Sequence, residues 1–432
     1  MTRSSHRHFS GARSRLLSAV LACLALYLLA SLLPISASAQ APPVNNCLTC
    51  HSMLDAPLAV KPDAFAQDVH ARNGLTCAGC HGGDAAAEDP TRAMSRAAGF
   101  KGKIQRTQIP ELCAKCHADA AYMHKYNPSL RTDQLSQYRT SVHGKRLAQG
   151  DTKVAVCSDC HGFHDIRPAS DTRASVHPLK IAETCAKCHA SAEHMKGYSI
   201  PTDQFAGYSA SVHHEALTVR GDLSAPTCTT CHGNHGAAPP GVASVEFVCA
   251  TCHVFQAQLF DTSPHKAAFA AMGVAACITC HSNHRIQHPT DAMIGTDPQA
   301  ICLSCHASGD KGYAAAGQMK SDLLRLAKAI QESGETLDVA ERSGMEVSQA
   351  KLDQAEARNS LTKARVTIHA FQPKKLEEDI NAGLKIAEKT HQAGVAALAE
   401  RDYRRMGLSV SVVFIIIVLI GLWLYIRQIE SA

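Results

Sequence analysis

Every cysteine after residue 40 lies in a C-x-x-C-H element, and there are nine of them. They comprise Cys47, Cys50 and His51; Cys77, Cys80 and His81; Cys113, Cys116 and His117; Cys157, Cys160 and His161; Cys185, Cys188 and His189. The rest are Cys228, Cys231 and His232; Cys249, Cys252 and His253; Cys277, Cys280 and His281; Cys302, Cys305 and His306. One helical turn brings two cysteines three apart to the same side, with the histidine directly behind them. Eighteen cysteines with none left over leave little room for any architecture not built around them.

Three chemistries use C-x-x-C. A thioredoxin-like redox pair needs a single copy in a βαβ setting, which this chain lacks. Zinc sites pair such elements to collect four ligands and do not require a histidine after each one. Covalent haem c requires the whole pattern: two thioethers to the vinyl groups, and the adjacent histidine as proximal iron ligand. Nine haem c groups are therefore expected. Composition agrees, because aromatics are only 5% of residues and Trp423 is the sole tryptophan. A chain this long with so few large apolar side chains needs something else to pack around.

The elements recur in pairs. "ELCAKCH" with "SVHGKRL" and "CSDCHGFH" returns about 71 residues later as "ETCAKCH", "SVHHEAL" and "CTTCHGNH". A shortened copy ends in "CITCHSNH", an irregular first copy ends in "CAGCHGG", and "ICLSCH" begins an incomplete last one. Serial units of this kind imply an extended row rather than one globule. His70, His143, His213 and His265 hold one register position between the two elements of a unit; His164, His235 and His284 lie three residues past a proximal histidine. A histidine three residues on cannot easily reach back to its own iron, so both sets are expected to be distal ligands that cross-link neighbouring haems. Seven such histidines leave two irons to be closed by His124, His177, His194, His288 or His369, by a methionine, or by nothing. His214 and His391 read as surface. The "CHGG" after Cys77 lacks the extra histidine, so its haem is expected to be ligated from elsewhere or left open.

On these motifs the chain resembles the exported multihaem cytochromes c with doubled C-x-x-C-H elements, of cytochrome c3/c7 type, over about residues 45–306. The resemblance implies mostly bis-histidine, low-spin haems stacked for electron transfer.

Both ends suggest a membrane. Residues 1–39 carry Arg3, Arg7, Arg13 and Arg15, then an apolar run over 16–33 and small residues Ala37 and Ala39, the pattern of a cleaved export signal. Residues 407–426 form twenty uncharged, largely apolar positions, enough to cross about 30 Å of hydrocarbon, with Trp423 and Tyr425 at one end. Arg401, Arg404 and Arg405 precede the span and only Arg427 follows. The positive-inside tendency alone would put the arginine-rich side in the cytoplasm; an exported body overrides it. Between haems and membrane, residues 311–405 show three- and four-residue apolar spacing broken by Pro373, which predicts a helical hairpin or packed helices.

The expected architecture is mainly α and irregular: a signal at 1–39, a haem-packed domain with few or no strands at 40–310, long helices at 311–405, a transmembrane helix at 407–426 and a short cytoplasmic tail at 427–432. The expected function is electron transfer from a membrane quinol-oxidising or cytochrome subunit to periplasmic redox proteins, or the reverse, in a single-pass protein facing the periplasm. The alternative is a reductase of a nitrogen or sulfur compound with one open haem. By looser analogy with multihaem enzymes that carry long C-terminal helices, His369 could cap an unpaired haem. No C-x-x-C-K occurs, and fourteen histidines outside the motifs and signal could close every iron, which favours the carrier over the enzyme. A net charge of +5 and the absence of any binding motif argue against nucleic acid.

Overall fold

A computed structural model describes residues 44–239 and 247–431; the expected export signal lies outside the described residues. Seven of the nine motifs form short helices that end on the motif histidine, among them Asn46–His51, Ile109–His117, Pro178–His189 and Cys228–His232. What stops the second helix of each pair is the residue after the histidine. Gly82, Gly162 and Gly233 have φ of 70°, 80° and 80°, left-handed backbone that glycine enters without penalty. Ser282 does the same at φ 64° without that freedom. The chain is thereby turned away from its own motif.

A second kind of short helix carries the inter-element histidines. His70, His143 and His213 sit second in helices Val69–Arg72, Val142–Ala148 and Val212–Thr218, and His265 is second in Pro264–Met272. The residue two before each histidine is the N-cap. Asp68 accepts from the His70 amide at 2.8 Å, Ser141 from the Gly144 amide at 2.9 Å and Ser211 from the His214 amide at 3.2 Å. Such a cap satisfies an orphan amide and fixes where the first turn points.

The chain divides into two compact units, residues 1–102 and 103–432. In the first, the Asn46 amide donates to Ala85 O at 2.9 Å and the Lys101 amide to His81 O at 2.8 Å. In the second, consecutive repeats are stitched by backbone: Val142 N donates to Ala237 O at 3.1 Å and Val212 N to Ile286 O at 2.9 Å.

The same unit holds three long helices, α1 (Lys311–Arg342), α2 (Ser348–Thr367) and α3 (Pro373–Glu430). Packed helices were one of the two expectations for this stretch; Gly344, at φ 80°, ends the first segment and makes a three-helix bundle rather than a hairpin. Its core is Leu323, Leu326, Ile330, Leu361, Ile368, Leu376 and Ile380. Gly383 lets α3 approach, since a Cβ there would lie 2.8 Å from Leu326 Cδ1. Among the described residues no strand occurs. α3 then continues unbroken through 407–426, the one helix there long and apolar enough to cross a membrane. This fits a single-pass membrane protein, with Arg427 over the Trp423 ring at 5.2 Å.

The bundle docks on the last repeats through Arg365, which donates to both oxygens of Asp291 at 2.9 and 2.8 Å, and through Lys320 with Asp297. The turn between α2 and α3 is short: helix Ile368–Ala370, then Phe371 at φ 51°, whose ring centre is 4.0 Å from that of His265.

Candidate haem-binding site

An imidazole nitrogen lies about 2.0 Å from a metal it ligates and about 1.1 Å from its ring centre, so two rings on opposite faces of one metal stand about 6 Å apart. Six pairs in the second unit meet this spacing. His143 and His189 are 6.1 Å apart, His161 and His235 6.1 Å, His213 and His253 6.4 Å. His232 and His284 are 6.0 Å apart, His265 and His306 5.9 Å, His281 and His369 6.1 Å. Ordinary aromatic contacts scatter over about 4.5–7 Å. These six fall within half an ångström of one another, and each joins a motif histidine to one outside the motifs.

The folding of the repeats explains who meets whom. After Gly233 turns the chain, the backbone bond from Val142 to Ala237 sets His235 opposite His161, one repeat earlier. The Val212–Ile286 bond does the same for His284 and His232, and Gln287 Nε2 adds a bond to Ala210 O at 3.0 Å. The helices between the elements work forwards: His143, His213 and His265 face the first motif histidine of the next repeat.

Most of these rings are partly shielded, His253 being the exposed one. Burial pushes His143, His161, His213, His265, His281 and His284 below the ordinary imidazole value, and the facing imidazole adds to it. Burial lowers His189, His235 and His369 as well. A metal-ligating imidazole must be neutral, so the direction suits ligation. Backbone carbonyls orient several rings through Nδ1: Ala238 O for His232 at 3.2 Å, Val366 O for His369 at 2.9 Å and Leu58 O for His51 at 2.9 Å. The other nitrogen is left for iron.

None of the eighteen described cysteines forms a disulfide. Their thiols follow one another through the second unit. Cys113 hydrogen-bonds Cys157, Cys185 bonds Cys228, and Cys249 bonds Cys277. Between these contacts Cys160 lies in electrostatic reach of Cys188, Cys231 of Cys249 and Cys252, and Cys280 of Cys302 and Cys305. Cys47 and Cys77 are neighbours in the first unit. A cavity of about 400 Å³ beside His161 is lined by Phe163 and by Arg167, Arg173 and Lys187, cations that suit the carboxylates of a porphyrin edge. Zinc would need four converging ligands; among the described residues no three His, Cys, Asp or Glu side chains converge as a metal site.

These residues fit haem c, and two family models agree: one described as Cytochrome c3 matches residues 69–190, and one described as Doubled CXXCH motif matches residues 263–311. The protein is a multihaem c-type cytochrome. Neither the curated proteins nor the solved structures contain a match. The cytochrome binds haem c covalently and transfers electrons.

The remaining expected histidines are placed as follows. His117 and His81 end their motif helices, and His70 Nδ1 lies 3.1 Å from Asp68 Oδ1. His164 takes positive φ and lies edge-on to Phe163. Of the five further candidates, His369 faces a motif histidine. His177 is a buried N-cap whose Nδ1 accepts from Leu179 N at 3.3 Å, and His124 Nε2 is 3.1 Å from Leu130 O. His288 meets Glu215 at 3.4 Å, and His194 lies in the short helix Ala192–Met195. His214 packs edge-on against Tyr208, and His391 bonds Thr336. Sequence reasoning missed the caps Asp68, Ser141 and Ser211, although an N-capping residue two before each histidine was a visible signal.

Proposed function

We propose that this cytochrome carries nine haems and passes electrons along them between a quinol-linked partner in the membrane and a periplasmic or outer acceptor, with the haem domain on the periplasmic side. When bound, haem c supplies a one-electron iron centre whose potential depends on its axial ligands and burial. The observation that carries the reading is the unbroken succession of attachment sulfurs from Cys113 to Cys305, each motif beside the next. Electrons need such neighbours at every step.

The chain's own residues do three things. The cysteines fix spacing, the paired imidazoles close both faces of an iron against substrate, and α3 ties the assembly to a membrane. In this reading His143, His213 and His265 are distal ligands to the irons held by His189, His253 and His306, and His235, His284 and His369 to those of His161, His232 and His281. Ligands drawn from another repeat lock the row together.

The test is the mature protein's mass, which should exceed the polypeptide by nine haems, joined to an EPR spectrum of His369→Ala. That variant should convert one low-spin ferric haem, the one at His281, to high-spin. Fewer than nine haem masses, or an unchanged spectrum, would refute the corresponding part of the reading.

A further inference from the structure

We infer that the Cys47–Cys50–His51 site keeps the sixth position of its iron free, and that it binds a small exogenous ligand there, diatomic or a short anion, through one lone pair. This rests on the reading that each C-x-x-C-H holds a haem.

Five of the six ring pairs obey one rule, and the sixth draws His369 from outside the repeats to His281. An inter-element histidine faces the opening motif of the following repeat: His143 to His189, His213 to His253, His265 to His306. A histidine three past a second motif faces the second motif of the preceding repeat: His235 to His161, His284 to His232. The "CHGG" anomaly then acquires a reason. A histidine three on from His81, where Asp84 stands, would serve a repeat before the first, and no C-x-x-C-H precedes Cys47. Its lack says nothing about the haem at Cys77. The same rule leaves the opening motif of the first repeat without a donor, since its ligand would come from that missing predecessor.

The local structure agrees. Residues 44–102 contain three histidines: His51 and His81, which belong to motifs, and His70, on the capped helix whose counterparts all serve the next repeat. Upstream of Cys47 the sequence offers only His6 and His8, both in the stretch read as an export signal. Among the described residues no imidazole faces His51. Its Nδ1 meets Leu58 O at 2.9 Å and its carbonyl accepts from Val60 N at 3.0 Å, so the returning loop 52–60 lies on the Nδ1 side and Nε2 is left for iron. Cys50 is exposed, so the attachment edge of this site meets solvent.

The experiment is carbon monoxide titration of the reduced full-length protein, with cyanide on the oxidised form, after mass has established the haem count. The wild type should take up one carbon monoxide per chain. Cys47→Ser with Cys50→Ser should weigh one haem less and bind none. Should that variant misfold, His51→Met keeps a ligating side chain under the same iron and should shift the Soret band of the carbonyl adduct. Zero uptake by the wild type, undiminished uptake by the double serine variant, or an unmoved band in His51→Met would each overturn the inference. A wild type that carries no haem would instead overturn the reading on which it rests, and the mass shows this before any gas is added.

Discussion

Residues 103–310 and the bundle that follows belong to one compact unit, yet they are built on different interiors. The bundle is an ordinary helical core: Leu323, Leu326, Leu337, Leu376 and Ile380 are wholly enclosed, and Gln354 donates to Ile330 O and Ser333 Oγ at 3.0 Å. In the haem-binding stretch the fully enclosed large side chains are Leu217 and Val156, while the motif cysteines are only half-buried or exposed. A region with so little hydrocarbon inside cannot offset the entropy of ordering its chain by side-chain burial alone. It is closed by groups attached after synthesis, whereas the bundle is closed by its own residues.

The largest expected effect follows directly. Chain produced without haem attachment should lose protected structure throughout 103–310 while the bundle survives; limited proteolysis should leave a resistant fragment near residues 311–405. Equal digestion of both would erase the distinction. Next comes Leu326→Ala, which removes a fully buried side chain at the bundle centre. A cost of about 3 kcal/mol is expected, visible as a lower midpoint for loss of helix with the haem absorption unchanged. Smallest is Arg365→Ala, which breaks the paired bonds to Asp291 where the two regions meet. Arg365 is about half exposed, so solvent screening keeps the loss below about 1 kcal/mol. A larger drop in denaturation midpoint would mean that the two regions support each other more than their separate interiors suggest.

The same difference explains what could be read from sequence. In the haem region chemistry is spelled locally, so the motifs, the repeat and the two registers of extra histidines stand out. Their partners do not. His161 and His235 are far apart in the chain and meet because a Val142–Ala237 backbone bond draws one repeat against the next, and no local pattern encodes that bond. "Neighbouring haem" was therefore too loose, because these pairs reach past the adjacent motif. In the bundle the apolar spacing reads as helix, but it does not mark the stop at Gly344, whose left-handed backbone ends the first segment. His369 was equally ambiguous, since a helix-face histidine and one beside a distant motif look alike until α2 is folded onto the last repeats.

The length of α3 has a further consequence. It starts at Pro373, beside the elbow that reaches His281 and His265, and enters its apolar stretch near residue 407. Some 34 helical residues separate the two, about 50 Å of mast at 1.5 Å each. That height exceeds the roughly 30 Å depth of the oily layer itself. Redox centres sunk in lipid cannot touch this end of the array, and any molecule that meets it there must do so well out in the aqueous space.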